Sequence, residues 1–419
     1  MNFVESLRIS WRNIREHKLR STLTTLGVII GVAAVITFVT LGASLQADII
    51  STVAGGNAAT MYVTAQSPSD SRIPSLASGG SVVFTQYDVE QLRQLEGVDV
   101  VAPESGIAAS SVSHNNSTVG RQWVTVSSPS YFKVRNIKFL SGQPYQMGQR
   151  EVVLNRPAAR MFGDNVSVGE NITITRAANG ERLNATVVGI VETTGGGSVL
   201  GVSQGPQPRI YAPTEPYYER TVQSPNLHAR QKVYGRVLVK AQSPGQVDAV
   251  QGRVYNYLGE QSDARLLKSQ SYKFRVTTQE QIIGQIKQLT STFTAYITGI
   301  AVISLIVGSI GIANIMLVSV TERTREIGIM KAVGAQSRDV LQLFLFEAVL
   351  LGVFGSVLGA IVGLAGGYAG AEAIGLPLAF EPIWFAASVV IGVLVGVLAG
   401  IYPAWDAAHT DPIDALRYE

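Results

Sequence analysis

A chain of 419 residues with 15% charged and 46% hydrophobic side chains and 42 glycines is poor in charge, since roughly 25% is usual for a soluble protein. It has no cysteine, which excludes disulfides, thiolate metal centres and cysteine nucleophiles. Its four histidines (His17, His114, His228, His409) form no HExxH or close ligand pair, and a net charge of +3 is too mild to point to nucleic acid.

In chain order, residues 1–20 read as an amphipathic helix at the inner membrane face. Phe3, Leu7, Trp11 and Ile14 form a stripe opposite Arg8, Arg12 and Arg15. Simple topological anchoring accounts for this stripe equally well. An uncharged stretch, 21–47, follows, and others lie at 288–321, 348–371 and 382–405. Each exceeds the ~20 residues that cross a bilayer core. They predict four transmembrane helices, at 21–45, within 286–320, at 340–371 and at 382–404. A cleaved signal peptide fits the first poorly, because its apolar run is longer than the ~7 to 15 residues of such a segment.

Residues 46–285 read as one large α+β domain inserted between the first two helices. Strands are predicted at 61–65 and 98–102, flanking a helix that opens with a Thr85/Asp88 capping box and runs through Leu95. A similar unit follows later, with strands at 232–240 and 272–276 around a helix at 246–258. These two units, about 58–104 and 230–280, are expected to share a subdomain. The intervening 105–229 forms a second, with strands at 151–154, 171–175 and 185–191 and a short helix at 156–162. Segments 66–80, 194–208 and 213–226 are Pro-, Gly- and Ser-rich loops. Asn115, Asn116, Asn165, Asn171 and Asn184 each begin a glycosylation sequon, a pattern that arises often by chance.

Ile282, Ile286, Leu289 and Phe293 share one helical face and run without proline into the second span, which predicts a continuous transmission stalk through 286–320. A short interfacial collar is the alternative. Between the second and third spans, 321–339 carries Glu322, Arg323, Arg325 and Glu326, then Lys331. Charges of both signs over about one turn suit orientation-specific pairing with a partner. Gly328 and Gly334 permit close approach or a sharp turn. Small residues at four-residue spacing (Gly27 and Gly31; Gly355, Gly359, Gly363 and Gly367; Gly392, Gly396 and Gly400) predict tight helix packing, within the bundle or between subunits. Glu347 lies near one end of the third span, and no ionisable residue falls mid-span in the others, which argues against an ion-coupled carrier or channel.

Lys and Arg cluster before the first span and between the second and third, whereas the short link at 372–381 holds Glu372 and Glu381 only. This bias puts both termini, the 405–419 tail and 321–339 in the cytoplasm and the large domain outside the cell membrane.

Thr321-Glu-Arg-Thr-Arg-Glu-Ile-Gly-Ile-Met-Lys-Ala-Val-Gly-Ala335 resembles the signature of MacB-like and FtsX-like permeases of ATP-binding cassette (ABC) systems, the macrolide-exporter and lipoprotein-releasing type. Trp11-Arg-Asn-Ile14, Leu19-Arg-Ser-Thr-Leu-Thr-Thr-Leu-Gly27 and Asp411-Pro-Ile-Asp-Ala-Leu-Arg-Tyr418 resemble its terminal signatures. The resemblance implies an α-helical membrane protein with four transmembrane helices and a large α+β extracytoplasmic domain. It also implies a permease that works as a homodimer on two separate ABC ATPase subunits. Residues 321–339 would be the coupling segment, with Glu322, Arg323, Arg325, Glu326, Gly328, Lys331 and Gly334 coupling to the ATPase. No GxxxxGK[ST] loop occurs, so ATP and Mg would be bound by the partner and no cofactor by this chain. No catalytic residue is expected. The one GxSxG match, around Ser203, sits among glycines and prolines, where a nucleophile elbow needs a strand and a helix. Alternatives are a sensor with an outer ligand-binding domain, and one half of a heteromeric lipoprotein-releasing complex. The loops carry no recognisable pocket chemistry for a cargo.

Overall fold

The computed structural model describes residues 18–54, 58–67, 80–163, 166–192, 207–380 and 382–417. The amino-terminal stripe up to Ile14, Ser203 and the Asn165 sequon lie outside them. Two compact units emerge, Ile49–Lys287 and the remainder, Met1–Asp48 with Gln288–Glu419.

The first unit is built on an eleven-stranded sheet. Its strands run β14 (Lys273–Thr278), β1 (Thr60–Gln66), β13 (Arg236–Ala241), β3 (Val98–His114), β5 (Gln122–Ser127), β10 (Ile210–Pro213), β7 (Glu151–Asn155), β9 (Arg182–Val191) and β6 (Phe139–Gly142). Strand β4 (Ser117–Val119) pairs with β3, and β8 (Asn171–Arg176) pairs with both β3 and β9. Helix α3 (Ser130–Val134), helix α4 (Arg156–Arg160) and the helical turn α5 (Thr214–Tyr217) connect these strands. Strands β13, β10 and β7 are buried on both faces and read as near-continuous apolar runs, whereas β8 and β9 alternate buried residues with more exposed ones. Alternate residues enter opposite cores: Met61, Val63, Val237, Val239, Val152 and Leu154 on one side, Tyr62, Leu238, Val153 and Tyr211 on the other. The second core is aromatic, with the Phe132 ring 5.3 Å from Tyr145 and 5.7 Å from Tyr211, both edge-on.

Three elements depart from the sequence expectation. The strand at 98–102 runs on to His114, long enough to pair with β13 at one end and with β8 at the other. The single strand expected at 232–240 is divided at Gly235 into β12 (Arg230–Tyr234) and β13. Strand β12 joins β11 (Thr221–Gln223) and β2 (Phe84–Thr85) in a separate three-stranded sheet. A Cβ at Gly235 would stand 3.2 Å from the Gly80 carbonyl oxygen, so the crossing is made where a side chain would crowd the backbone. The loop expected at 213–226 carries α5 and β11.

The capping box opens α2 (Gln86–Gln94) as expected, and its Asp88 is fully buried. The carboxylate accepts from Thr85 N, Ala264 N, Asp263 N and the Tyr257 hydroxyl at 2.9 to 3.1 Å. Burial pushes Asp88 up to about 6. Helices α6 (Val247–Glu260) and α7 (Asp263–Leu267) thereby join α2 at one polar knot. The sequons at Asn171 and Asn184 interlock across β8 and β9: Thr186 Oγ1 donates to Asn171 Oδ1 and Thr173 Oγ1 to Asn184 Oδ1.

The second unit holds α1 (Lys18–Ala54, whose last residues fall in the other unit), α8 (Gln279–Glu322, whose first residues do likewise), α9 (Thr324–Ala332), α10 (Ser337–Ala373), α11 (Pro382–His409) and α12 (Pro412–Arg417). Helices α1, α8, α10 and α11 are long and apolar enough to cross a membrane. Helix α8 is unbroken over 44 residues, or about 66 Å at 1.5 Å per residue, more than twice the ~30 Å of a hydrocarbon core. The glycine stripes are filled by this chain's own helices. A Cβ at Gly27 would lie 2.7 Å from Gly308 Cα, and one at Gly363 2.7 Å from the Ala33 carbonyl oxygen. Gly392 and Gly396 likewise meet Gly352, Ser356 and Val349 across the α10–α11 seam. Thr37 Oγ1 donates to the Gly363 carbonyl at 3.0 Å, a contact open only because glycine lets the backbones approach.

Candidate functional site

The segment between the second and third spans is built as a helix held at both ends. Helix α8 stops at Glu322, and the Thr324 hydroxyl caps it by donating to the Val320 and Thr321 carbonyls at 3.0 and 2.8 Å. Arg323 occupies the break, with φ −104° and ψ 14°. Its guanidinium meets Glu326 at 3.0 Å and Glu347 of α10 at 3.5 Å, and stands 5.5 Å from the centre of the Phe344 ring. Glu347 is 8% exposed, so this pair is shielded from the screening that weakens surface pairs. Helix α9 ends on Gly334 at φ +107°. Ala335 N donates to the Met330 carbonyl and Gly334 N to the Lys331 carbonyl, both at 3.0 Å, the double closure that favours glycine at this position. Gln336 and Asp339 then form the capping box of α10.

This brings the predicted coupling residues together and sorts them by face. Glu322, Arg325, Glu326 and Gly334 are exposed. Arg323 is half-buried and turned toward α10. Gly328 is buried: a Cβ there would stand 2.8 Å from Ala415 Cβ of α12. Lys331 also turns inward, donating from Nζ to the Ala408 and Thr410 carbonyls at 2.7 and 2.8 Å. Two residues missed in the sequence complete the outward face. Ile329 is 49% and Val333 84% exposed, at i+4 and i+8 from Arg325. Ile329 and Val333, the second at the helix C-cap, thus form a short exposed apolar stripe beside Arg325 and Glu326.

The four stalk residues are not equivalent. Ile282 and Ile286 are buried, at 2% and 8% exposure, whereas Leu289 and Phe293 are exposed at 41% and 55%. One helical face thus changes role along its length, which spacing alone does not reveal. Among the described residues no cluster of three or more His, Cys, Asp or Glu could hold a metal ion.

Four helices long and apolar enough to span a membrane, with a large β-rich insertion after the first and a short helix between the second and third, define a multi-pass membrane protein with an inserted domain. The chain belongs to the MacB-like and FtsX-like family of ABC transporter permeases: the MacB-like periplasmic core domain matches residues 21–257 and the FtsX-like permease C-terminal region matches 298–412. Among its relatives, it is 30% identical to the ABC transporter permease YknZ of Bacillus subtilis, over the full length of both. It is 32% identical to the macrolide export ATP-binding/permease protein MacB of Shewanella sp. strain ANA-3, covering all of this chain and 61% of that protein. The crystal structure of the periplasmic region of MacB from Actinobacillus actinomycetemcomitans aligns at a TM-score of 0.40 and 15% identity, over 56% of this chain and 95% of that one.

Proposed function

We propose that this chain is the membrane subunit of an ABC exporter that receives a separate ATPase on the outward face of α9 and works on cargo outside the membrane. The observation that carries the reading is the stripe of Arg325, Ile329 and Val333. Two exposed aliphatic side chains beside Arg325 on one helical face suit contact with a protein surface more than a solvated turn. In the MacB relatives the printed names join ATP-binding and permease functions, and this chain spans about 61% of their length. The permease relative YknZ is matched over its full length, which supports ATP and Mg being held by a partner chain. The Lys and Arg bias supports an orientation with α9 and both termini in the cytoplasm and the sheet domain outside.

The same reading includes a homodimer built along α8. Leu289, Phe293, Tyr296, Ile300, Ile303 and Val307 are all exposed. They alternate four- and three-residue steps, the 3.5-residue repeat that keeps a seam facing a second helix. A length of about 66 Å lets α8 carry a displacement at Glu322 beyond the bilayer.

The test is charge reversal. Glu322→Lys and Arg325→Glu are each expected to reduce co-purification of the ATPase or its stimulation by the permease. Each sets a like charge in a paired interface, where losing one desolvated partner costs ~2 to 5 kcal/mol. Unchanged binding and stimulation in both variants would return these residues to the role of solvated topological charges.

A further inference from the structure

Helix α9 is joined through the chain itself to the second span at Arg323 and to the third at Gln336. A displacement of α9 reaches both directly. The fourth span, α11, has no such link at this end, yet α9 grips it.

Lys331 Nζ donates to the carbonyls of Ala408, in the last turn of α11, and of Thr410, just beyond it, at 2.7 and 2.8 Å. Carbonyls at a helix end lack intrahelical donors, and a cation is the sign of charge favoured there. Three residues earlier on α9, Gly328 lies against the start of α12. A Cβ at that position would stand 2.8 Å from Ala415 Cβ and 3.4 Å from the Pro412 carbonyl oxygen. Asp411 Oδ1 accepts from Ile413 N at 2.8 Å and fixes the turn between α11 and α12. Residues 328 and 331 of one helix thus engage the two sides of one corner, the first by close approach and the second by two charge-assisted hydrogen bonds.

We propose that Lys331 is a positioning residue that locks α9 to the α11–α12 corner, so that docking of the ATPase drives the fourth span together with the second and third. The inference rests on the reading of α9 as the docking helix. It removes Lys331 from the contact surface and gives it the task of transmission. Helix α12 becomes part of the same moving platform.

The absence of native cysteine lets nitroxide pairs be placed at Val333 and Trp405 in the intact chain, in lipid nanodiscs. The parent is expected to give a narrow distance distribution and Lys331→Met a broadened one. Lys331→Arg, which keeps the cation and its donors, restores the narrow form. In unlabelled protein, the ATPase that co-purifies with the parent chain is expected to remain bound to Lys331→Met. Its stimulation falls roughly 2- to 30-fold, the range over which single substitutions on a coupling route act. Gly328→Ala reaches the same junction without touching charge: it is expected to broaden the distribution, and Gly328→Ala with Ala415→Gly to narrow it again. A distribution in Lys331→Met as narrow as the parent's, or stimulation unaffected by that substitution, overturns the proposal. If the parent captures no ATPase, the docking reading fails by itself, and the distance measurement still decides the clamp.

Discussion

Replacing Ile329 and Val333 together with serine removes the apolar part of the proposed docking face and nothing else. Serine has a helix propensity close to that of isoleucine and valine, so α9 is retained. Its buried side, Ile327 and Gly328, is untouched. Fully burying a Val or Ile side chain stabilises by about 1.5 to 3 kcal/mol. The share still available to a partner is the exposed part, 84% of Val333 and 49% of Ile329. Together these come to about 2 to 4 kcal/mol, or a roughly 30- to 700-fold loss of affinity at 1.4 kcal/mol per tenfold. The assay is titration of the nanodisc-embedded chain with the ATPase subunit that co-purifies with the parent, read by fluorescence anisotropy. A double-serine variant binding within about threefold of the parent would refute the reasoning, since about 0.6 kcal/mol is too little for two desolvated aliphatic side chains.

Asp88 gives the sheet domain a pH dependence. Its folded value of about 6 stands above the ordinary carboxyl value of 3.8, so the stability it contributes is complete below about pH 4 and is lost as pH rises through 6, by at most about 3 kcal/mol. Thermal unfolding of the intact chain should therefore show a midpoint that declines from pH 4 to 7 and a shallower decline in Asp88→Asn; equal slopes would count against it. Single cysteines at Ser243 and Ser337 should label with an impermeant maleimide from opposite sides of the membrane, Ser243 from outside, and outside labelling of Ser337 in sealed cells would reverse the orientation. Inserting several glycines between Gln288 and Thr292 costs about 1 kcal/mol per residue in a helix interior. It should leave ATPase binding intact while abolishing export, and full export by a well-expressed variant would favour a cargo path through the spans.

What the sequence makes legible follows from the range of each interaction. The four spans are visible because lipid imposes a continuous local requirement, about twenty residues without charge. The Thr85/Asp88 capping box is visible because both partners lie within one turn. The charges of 321–339 are likewise local, and they do gather on one short helix. Three features are set by contacts distant in sequence and leave no local trace. Lys331 finds its acceptors 77 and 79 residues away, so it reads as one more coupling charge. Gly328 reads as a point of close approach or a sharp turn, and only Ala415 against it decides for close approach. Ile282 and Ile286 share a helical face with Leu289 and Phe293, and periodicity cannot tell which end of that face meets the chain's own residues. The spacing of Arg325, Ile329 and Val333 at i, i+4 and i+8 is visible in the sequence, but only the packing of Ile327 and Gly328 shows that this face points outward. The glycine repeats predict close approach correctly, and only the structure assigns their partners to this same chain.

What touches the outward face of α9 in the membrane decides whether this helix docks an ATPase. A photo-crosslinking amino acid at Val333, activated in intact cells that express the full chain, followed by mass spectrometry of the adduct, reports that contact directly. The predicted product is a chain carrying a GxxxxGK[ST] phosphate loop, captured at Val333 and absent when the probe sits at the outer-domain position Ser243. Capture only of lipid, of a second copy of this chain, or of a protein without that loop would contradict the assignment of α9 as the ATPase-docking helix.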